Sequence, residues 1–182
     1  STLEKVLRDL RKILEELLRM SKKVLEELKR LADRLKEEIK KSLDKVKKII
    51  DELRDLTRKG KDKREVEERV KRVHDENEKT LRKVIEDVRR VLKEVRDVIK
   101  ESSDRLREVL ERARRVVRDK VEDEDKARKV IEEVTREVRR VEEENKKVER
   151  TVEKLVEELE ETVREARERS ERLVRTLEEE LR

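Results

Sequence analysis

Hydrophobic residues recur along this chain at the spacing of a straight α-helix, 3.6 residues per turn. In the first third of the chain the apolar or small residues of the pattern are Leu3, Leu7, Leu10, Leu14, Leu17, Ser21, Val24, Leu28, Leu31, Leu35, Ile39, Leu43, Val46, Ile50, Leu53 and Thr57. A strict heptad repeat would instead place Glu38, Lys45 and Glu52 on the buried stripe, which disfavours a conventional left-handed supercoil. The pattern therefore predicts long, nearly untwisted helices.

Two interruptions of this pattern mark loops. The first contains the sole glycine, Gly60, which suits the left-handed residue that closes a helix. Asp62 and Glu65 follow it with the spacing of a capping box, which predicts the start of the next helix. At the second interruption the apolar spacing stops after Val117, and an acidic cluster follows in which Asp123 is the predicted N-cap.

The interruptions predict three helices of nearly equal length. We expect helices at about 2–58, 63–119 and 124–182, loops at about 59–62 and 120–123, and a cap from Ser1 on the first helix. Short loops between equal helices favour an antiparallel up-down-up arrangement. The apolar arc spans about 160° in the first helix and about 140° in the others, which is wide enough to contact two neighbours. The fold class predicted is therefore all-α, a single elongated three-helix domain over 1–182.

The composition narrows the possible classes of protein. The chain has no Phe, Trp, Tyr, Pro or Cys, 59% of its residues are charged and 32% are hydrophobic. Such a composition can indicate disorder, but here the apolar residues fall on one face and can be buried together. Without cysteine there is no disulfide framework. Because no run of 18 apolar residues occurs, we expect a soluble protein without a membrane span, cytoplasmic on recombinant expression.

Charge is distributed unequally among the three predicted helices. Residues 1–58 hold 18 basic and 13 acidic side chains, residues 63–120 hold 20 and 15, and residues 123–182 hold 16 and 21. The third helix is thus negative where the other two are positive. Because exposed ion pairs contribute only about 0 to 1 kcal/mol each, this bias favours one arrangement of helices more than it adds stability.

Polar residues interrupt the apolar stripe at matching heights on different helices. When the chain is folded at its loops, Ser21 lies level with Ser102, Ser103 and Asn145. Random placement would rarely bring such residues to one level. We predict a buried hydrogen-bond layer that fixes the register of the helices and discourages slipped packings.

A second level of polar residues follows from the same folding. Ser42 is expected near Asn77 and Thr80, and Ser170 near Val46 and Asn77. The alternative for both levels is that small hydroxyls merely sit where helices approach closely, with asparagine at an edge. The sequence leaves that alternative open.

His74 is the sole histidine and raises the question of catalysis or metal binding. A zinc site commonly draws about four ligands from Cys and His, and this chain has no Cys and no second His. General acid-base catalysis needs a cleft and a positioned partner, which a narrow helical interface does not provide. We therefore expect a structural role at the rim of the apolar stripe or an incidental surface position. We predict no catalytic, cofactor-binding or metal-binding residue, and no enzyme.

Nucleic-acid and membrane binding are disfavoured by the surface pattern. The isoelectric point is about 9.3, and basic pairs such as Arg114 and Arg115 occur, but acidic residues are interleaved with them and stacking aromatics are absent. The apolar arcs are needed for the core, and no aromatic residue is available to anchor a helix in a bilayer. No partner is required, and we expect a monomer.

The chain resembles de novo designed, parametrically generated straight helical bundles, in particular those with buried hydrogen-bond networks. Almost every apolar position of the chain is followed 18 residues later, after five helical turns, by another apolar or small residue. The resemblance depends on this 18-residue repeat, the equal helices, the Gly60 and Asp62 connection, the Lys/Arg/Glu surface and the level of polar residues at Ser21. It covers the whole chain and implies a structural scaffold with no natural substrate, cofactor or cellular address. Frequent valine in the second and third helices, and Met20 and Leu56 at the margin of the stripe, depart from this style.

Two other classes of protein stay open on the sequence alone. A spectrin-like repeat or long coiled-coil tether would be a natural structural protein, although spectrin-like repeats carry core aromatics that this chain lacks. A helical interaction module, in which one helix is displaced or a partner helix is accepted, would have the same apolar pattern. The residues at the margin of the stripe also leave homo-oligomerisation open.

Overall fold

Three α-helices make up the fold of this chain in the computed structural model, which describes residues 2–182. They are α1 (Thr2–Arg58), α2 (Lys63–Lys120) and α3 (Glu124–Glu180). No β-strand occurs in these residues, and the helices pack against one another as a three-helix bundle. The prediction of an all-α, antiparallel three-helix fold is confirmed. Ser1 lies outside the described residues, so its capping role stays a prediction.

The C-terminus of α3 differs from the sequence prediction. We expected helix to residue 182, but α3 ends at Glu180. Leu181 still donates its N–H to the Leu177 carbonyl at 3.1 Å, whereas the Arg182 N–H bonds the Glu179 carbonyl at 3.2 Å. The final turn is therefore tightened, as is usual where a helix runs out of partners for its last carbonyls.

The loop after α1 is closed by a Schellman motif. The Lys61 N–H donates to the Leu56 carbonyl and the Gly60 N–H to the Thr57 carbonyl, both at 3.1 Å. Gly60 has φ of 82°, in the left-handed region that side chains with a Cβ rarely adopt. The sole glycine thus satisfies the carbonyls at the end of α1 and turns the chain toward α2.

Replacing Gly60 with alanine should lower the free energy of unfolding by about 1 to 2 kcal/mol, because the left-handed conformation strains an L-residue. A Cβ built at this position meets no atom within 4 Å, so the cost is conformational and not steric. Urea unfolding measures it. Gly60→Asn is the matched control, since asparagine tolerates this region better and should cost less. Equal losses for the two variants would contradict the explanation.

Aspartate side chains cap the second and third helices. The Asp62 carboxylate accepts a hydrogen bond from the Arg64 N–H at 3.1 Å, and that of Asp123 accepts one from the Asp125 N–H at 3.0 Å. Each of these N–H groups lies in a first turn, where no intrahelical carbonyl is available. Glu65, the other half of the expected capping box, forms an ion pair with Lys61 Nζ at 3.5 Å.

Contacts divide the chain into two compact units, each with a segment of every helix. Unit 1 consists of Ser1–Leu28 and Leu92–Glu153, and unit 2 of Lys29–Val91 and Lys154–Arg182. The expectation of a single domain over 1–182 stays a prediction.

The core of unit 1 is one apolar cluster, here called the Leu14 cluster. Its buried members are Leu10, Leu14, Leu17, Leu106, Val109, Ala113, Val134, Val138 and Val141. On α1 and α3 they repeat at intervals of three or four residues, so the helical period brings them to one face. Each helix therefore buries one stripe against the other two.

Unit 2 contains two apolar clusters. The Leu81 cluster comprises Ala32, Leu35, Ile39, Leu81, Val84, Val88, Leu159, Val163 and Ala166. The Leu53 cluster comprises Val46, Ile50, Leu53, Val66, Val70, Val73, Leu177 and Leu181. Every helix contributes to both clusters. Between the two clusters in sequence lie Ser42 on α1, Asn77 on α2 and Ser170 on α3.

Helix directions within unit 2 follow from cross-helix bonds. Ser42 and Lys45 of α1 bond Asn77 and Glu76 of α2, so the partner moves backward as α1 advances. Lys36 and Arg54 of α1 bond residues of α3 that lie 122 and 126 positions later, so these helices run in the same direction. This is the up-down-up order.

Candidate functional site

Three polar side chains, one from each helix, meet inside unit 1. Ser21 Oγ of α1 donates to Asn145 Oδ1 of α3 at 2.5 Å, and Asn145 Nδ2 donates to Ser102 Oγ of α2 at 3.0 Å. The exposed fractions of Ser21, Ser102 and Asn145 are 6%, 4% and 5%. Because an amide has both an acceptor and two donors, Asn145 can connect the two hydroxyls. We call this group the Asn145 layer.

Apolar side chains border the Asn145 layer on each helix. Leu17, Leu106 and Val141, each four residues from the layer member on its own helix, belong to the Leu14 cluster. Hydrogen bonds in such a low-dielectric setting are electrostatically stronger than in water, and an unpaired group is correspondingly costly. The two hydrogen bonds of the layer therefore lie inside the core and link all three helices at this height.

Ser103 does not supply the hydroxyl that the sequence suggested for this layer. Successive residues on a helix point about 100° apart, so two adjacent serines cannot both point at Asn145. That residue is Ser102, which is buried, whereas Ser103 is half-buried. The sequence could not choose between the two because each lies within the wide apolar arc.

The polar level in unit 2 is bonded between α1 and α2. Ser42 Oγ donates to Asn77 Oδ1 at 2.6 Å. Ser170 of α3 is 0% exposed and Asn77 is 2% exposed. Neither Asn77 Nδ2 nor Ser170 Oγ has a hydrogen-bond partner within the described part of the chain. We call Ser42, Asn77 and Ser170 the Asn77 layer.

Thr80 was expected to join the Asn77 layer, but its hydroxyl bonds its own helix. Thr80 Oγ1 donates to the Glu76 carbonyl at 3.2 Å, and Thr57 and Thr162 bond the carbonyls four residues before them in the same way. A threonine hydroxyl readily finds the carbonyl of the preceding turn. The sequence position of Thr80 was therefore compatible with the layer, but its hydroxyl bonds the backbone of α2 and does not join the layer.

His74 lies at the rim of the interface between α2 and α3. It is half-buried, and its Nδ1 has no hydrogen-bond partner among residues 2–182. Together with Glu78, of the same helix, and Glu171 of α3 it lines a surface groove of about 890 Å³. Within residues 2–182 no group of three or more His, Cys, Asp or Glu side chains is arranged to hold a metal ion.

Ion pairs between helices accompany the Asn77 layer. Arg167 Nε of α3 lies 2.9 Å from Glu78 Oε1 of α2, and Lys45 Nζ of α1 lies 3.4 Å from Glu76 Oε2. The Arg167–Glu78 pair is the better shielded of the two, since the Glu78 side chain is 18% exposed. Sequence reasoning did not identify this pair. The sequence did contain a signal for it, because Glu78 directly follows Asn77 and Arg167 precedes Ser170 by three residues.

The charge bias of α3 is expressed in its pairs with α1. Arg11 pairs with Glu133, Lys36 with Glu158 and Arg54 with Glu180, in each case a cation of α1 with a carboxylate of α3. Most of these side chains are substantially exposed, so each pair stabilises the fold only weakly. Because every pair has its cation on α1 and its carboxylate on α3, the pairs favour α3 as a neighbour of α1.

Glu161 and Arg164 form a bidentate interaction on the surface of α3. Arg164 donates to both carboxylate oxygens of Glu161, and a further bond joins Arg164 Nη1 to Glu168 at 3.2 Å. The hydrogen bond from Arg164 lowers the pKa of Glu161 below its ordinary value. Since the folded-state pKa is depressed, any contribution to stability is present above the ordinary glutamate pKa and is lost as pH falls through the folded one.

We expect Arg164→Gln to raise the pKa of Glu161 toward the ordinary glutamate value, because the charged donor that favours the carboxylate is removed. Carbon-13 NMR titration of the side-chain carboxyl measures this. Arg169→Gln, which changes a charge elsewhere on α3, is the matched control and should leave the Glu161 titration nearly unchanged. A Glu161 pKa equal in the original protein and in Arg164→Gln would contradict the assignment.

No helix within residues 2–182 has a segment long and apolar enough to cross a lipid bilayer. Neither the search of protein-family models nor that of curated proteins found a match to the sequence. Among solved structures, the chain is similar to one described as a computationally designed three helix bundle. The TM-score is 0.60 at 20% sequence identity, and the alignment covers 99% of this chain and 87% of the other. This chain therefore has the three-helix bundle fold.

Proposed function

We propose that this protein is a designed structural scaffold whose helices are held in register by apolar clusters and buried polar layers. The observation that carries the proposal is the Asn145 layer, in which one buried amide bonds a hydroxyl from each of the other two helices. No substrate, cofactor or partner is part of the proposed role.

The proposed origin has two supports. The similar solved structure is described as computationally designed. In addition, the 18-residue repeat, the nearly equal helices and the charged surface are consistent with an idealised bundle sequence, in which apolar pattern, helix length and loop residues all favour the same fold. The proposed role of such a scaffold is structural, and it depends on the chain adopting one unique fold.

The proposal also includes a monomeric state. Each helix buries its apolar stripe against the other two, and Met20 is the one large hydrophobic side chain that is exposed among residues 2–182. Sedimentation equilibrium should give a mass of 22.2 kDa. A mass of twice that value at micromolar concentration would contradict the monomer.

The proposed absence of a ligand has its own test. Zinc binding at submicromolar concentration that is lost in His74→Ala would contradict it.

The register role is tested by removing the polar layer while keeping the core filled. In the variant S21A/S102A/N145L the amide and both hydroxyls are replaced by apolar groups. If the layer specifies register, NMR of this variant should show additional sets of backbone amide signals near the layer, and the original protein should show one set. Leu17→Met is the matched control, because it alters a neighbouring core side chain and leaves the layer intact. A single set of signals in the apolar variant would contradict the register role.

A further inference from the structure

The Asn77 layer occupies the interval between the two apolar clusters of unit 2. On α2, Asn77 lies between Val73 of the Leu53 cluster and Leu81 of the Leu81 cluster. On α3, Ser170 follows Ala166 of the Leu81 cluster and precedes residues of the Leu53 cluster. Both side chains are at least 98% buried. A polar group placed there must find its hydrogen bonds locally.

Three polar atoms at this level lack a hydrogen-bond partner within residues 2–182. They are Asn77 Nδ2, Ser170 Oγ and His74 Nδ1. His74 lies three residues before Asn77 on α2, so the two side chains are neighbours on the helix surface. Buried polar groups in native proteins nearly always have partners, in the protein or in ordered water.

The chemistry of the three atoms is complementary to one water molecule. Asn77 Nδ2 is a donor, His74 Nδ1 is an acceptor in the Nε2-protonated imidazole, and the Ser170 hydroxyl is either. Water can accept from the first, donate to the second and exchange a bond with the third. Three hydrogen bonds are also the usual number for a buried water molecule.

We propose that a water molecule is bound in the interior of unit 2, where it bridges Asn77 Nδ2, His74 Nδ1 and Ser170 Oγ and completes the Asn77 layer. The Asn145 layer needs no such water, because Asn145 bonds both of its serines directly. The two layers thus have the same residue types and differ in solvation.

Two surface grooves lie beside residues of the proposed site. One groove, of about 550 Å³, is lined by Ser42, Asn77 and the core side chains Val46 and Val73. The groove beside His74 approaches from the interface of α2 with α3. The Arg167–Glu78 ion pair holds these two helices together at the same level. The three polar atoms themselves have almost no accessible surface, so the proposed water is enclosed.

Oxygen-17 magnetic relaxation dispersion tests the proposal, because it detects long-lived water oxygens and is blind to protein hydroxyls. The double variant N77L/S170A should contain one long-lived water molecule fewer than the original protein. The matched control N145L/S102A, which replaces the same residue types in the other layer, should retain the original number. Equal numbers for N77L/S170A and the original protein would overturn the proposal.

A second measurement locates the water and does not depend on the folding of the double variant. In the mild variant Ser170→Ala, cross-relaxation between the Asn77 side-chain amide and water should persist, with opposite signs in laboratory-frame and rotating-frame experiments. Loss of this signal in Ser170→Ala while the number of long-lived water molecules stays unchanged would show that the hydroxyl had relayed it, and would overturn the proposal. Loss of the signal together with one long-lived water molecule would support the proposal, since the Ser170 hydroxyl is one of its three ligands.

Discussion

Replacing Leu53 with alanine is expected to lower the free energy of unfolding by about 3 to 5 kcal/mol. Leu53 is 0% exposed and lies inside the Leu53 cluster, with contributions from all three helices around it. The substitution removes buried methyl groups and leaves a cavity that long, continuous helices cannot readily collapse to fill. Urea unfolding followed by circular dichroism measures the loss.

Leu56→Ala provides the matched control for this prediction. It is the same substitution one turn later on α1, at a side chain that only partly packs against the same cluster. We expect it to cost about 1 kcal/mol, since less surface returns to water. Equal losses for Leu53→Ala and Leu56→Ala would show that the assigned core is wrong.

Replacing Asn145 with alanine is the second large effect that we expect, a loss of about 1 to 3 kcal/mol. The change removes both bonds of the Asn145 layer and leaves two buried hydroxyls, of Ser21 and Ser102, without the amide. Each hydroxyl can partly recover by bonding a carbonyl of its own helix, which keeps the loss at this scale. A loss below about 0.5 kcal/mol would mean that the layer contributes nothing measurable.

The variant S21A/S102A/N145L is expected to have the opposite effect on stability. With all three partners replaced by apolar groups, no buried polar atom is left unsatisfied, so the change should be neutral or stabilising. The two variants therefore differ in the sign of the effect. If S21A/S102A/N145L were destabilised by more than Asn145→Ala, packing at this level and not hydrogen bonding would explain both results.

The sequence by itself determined the fold class and the division into helices. An apolar period of 3.6 residues and wide apolar arcs are compatible with helices that each contact two neighbours, and the sole glycine marks the turn at Gly60. These features are local, since each depends on residues within a few turns of one helix. The heights of Ser21 and Asn145 could also be anticipated, because short loops fix the register approximately.

Only the tertiary structure decided which polar groups bond one another. Hydrogen bonding is sensitive to a few tenths of an ångström and to side-chain direction, which sequence spacing does not specify. The structure places Ser102 and not Ser103 beside Asn145, and the Thr80 hydroxyl bonds a carbonyl of its own helix. In the other layer, which has the same residue types, Asn77 Nδ2 has no protein partner among residues 2–182. Helix periodicity fixes the height of a side chain, whereas packing across the interface decides which groups it can contact.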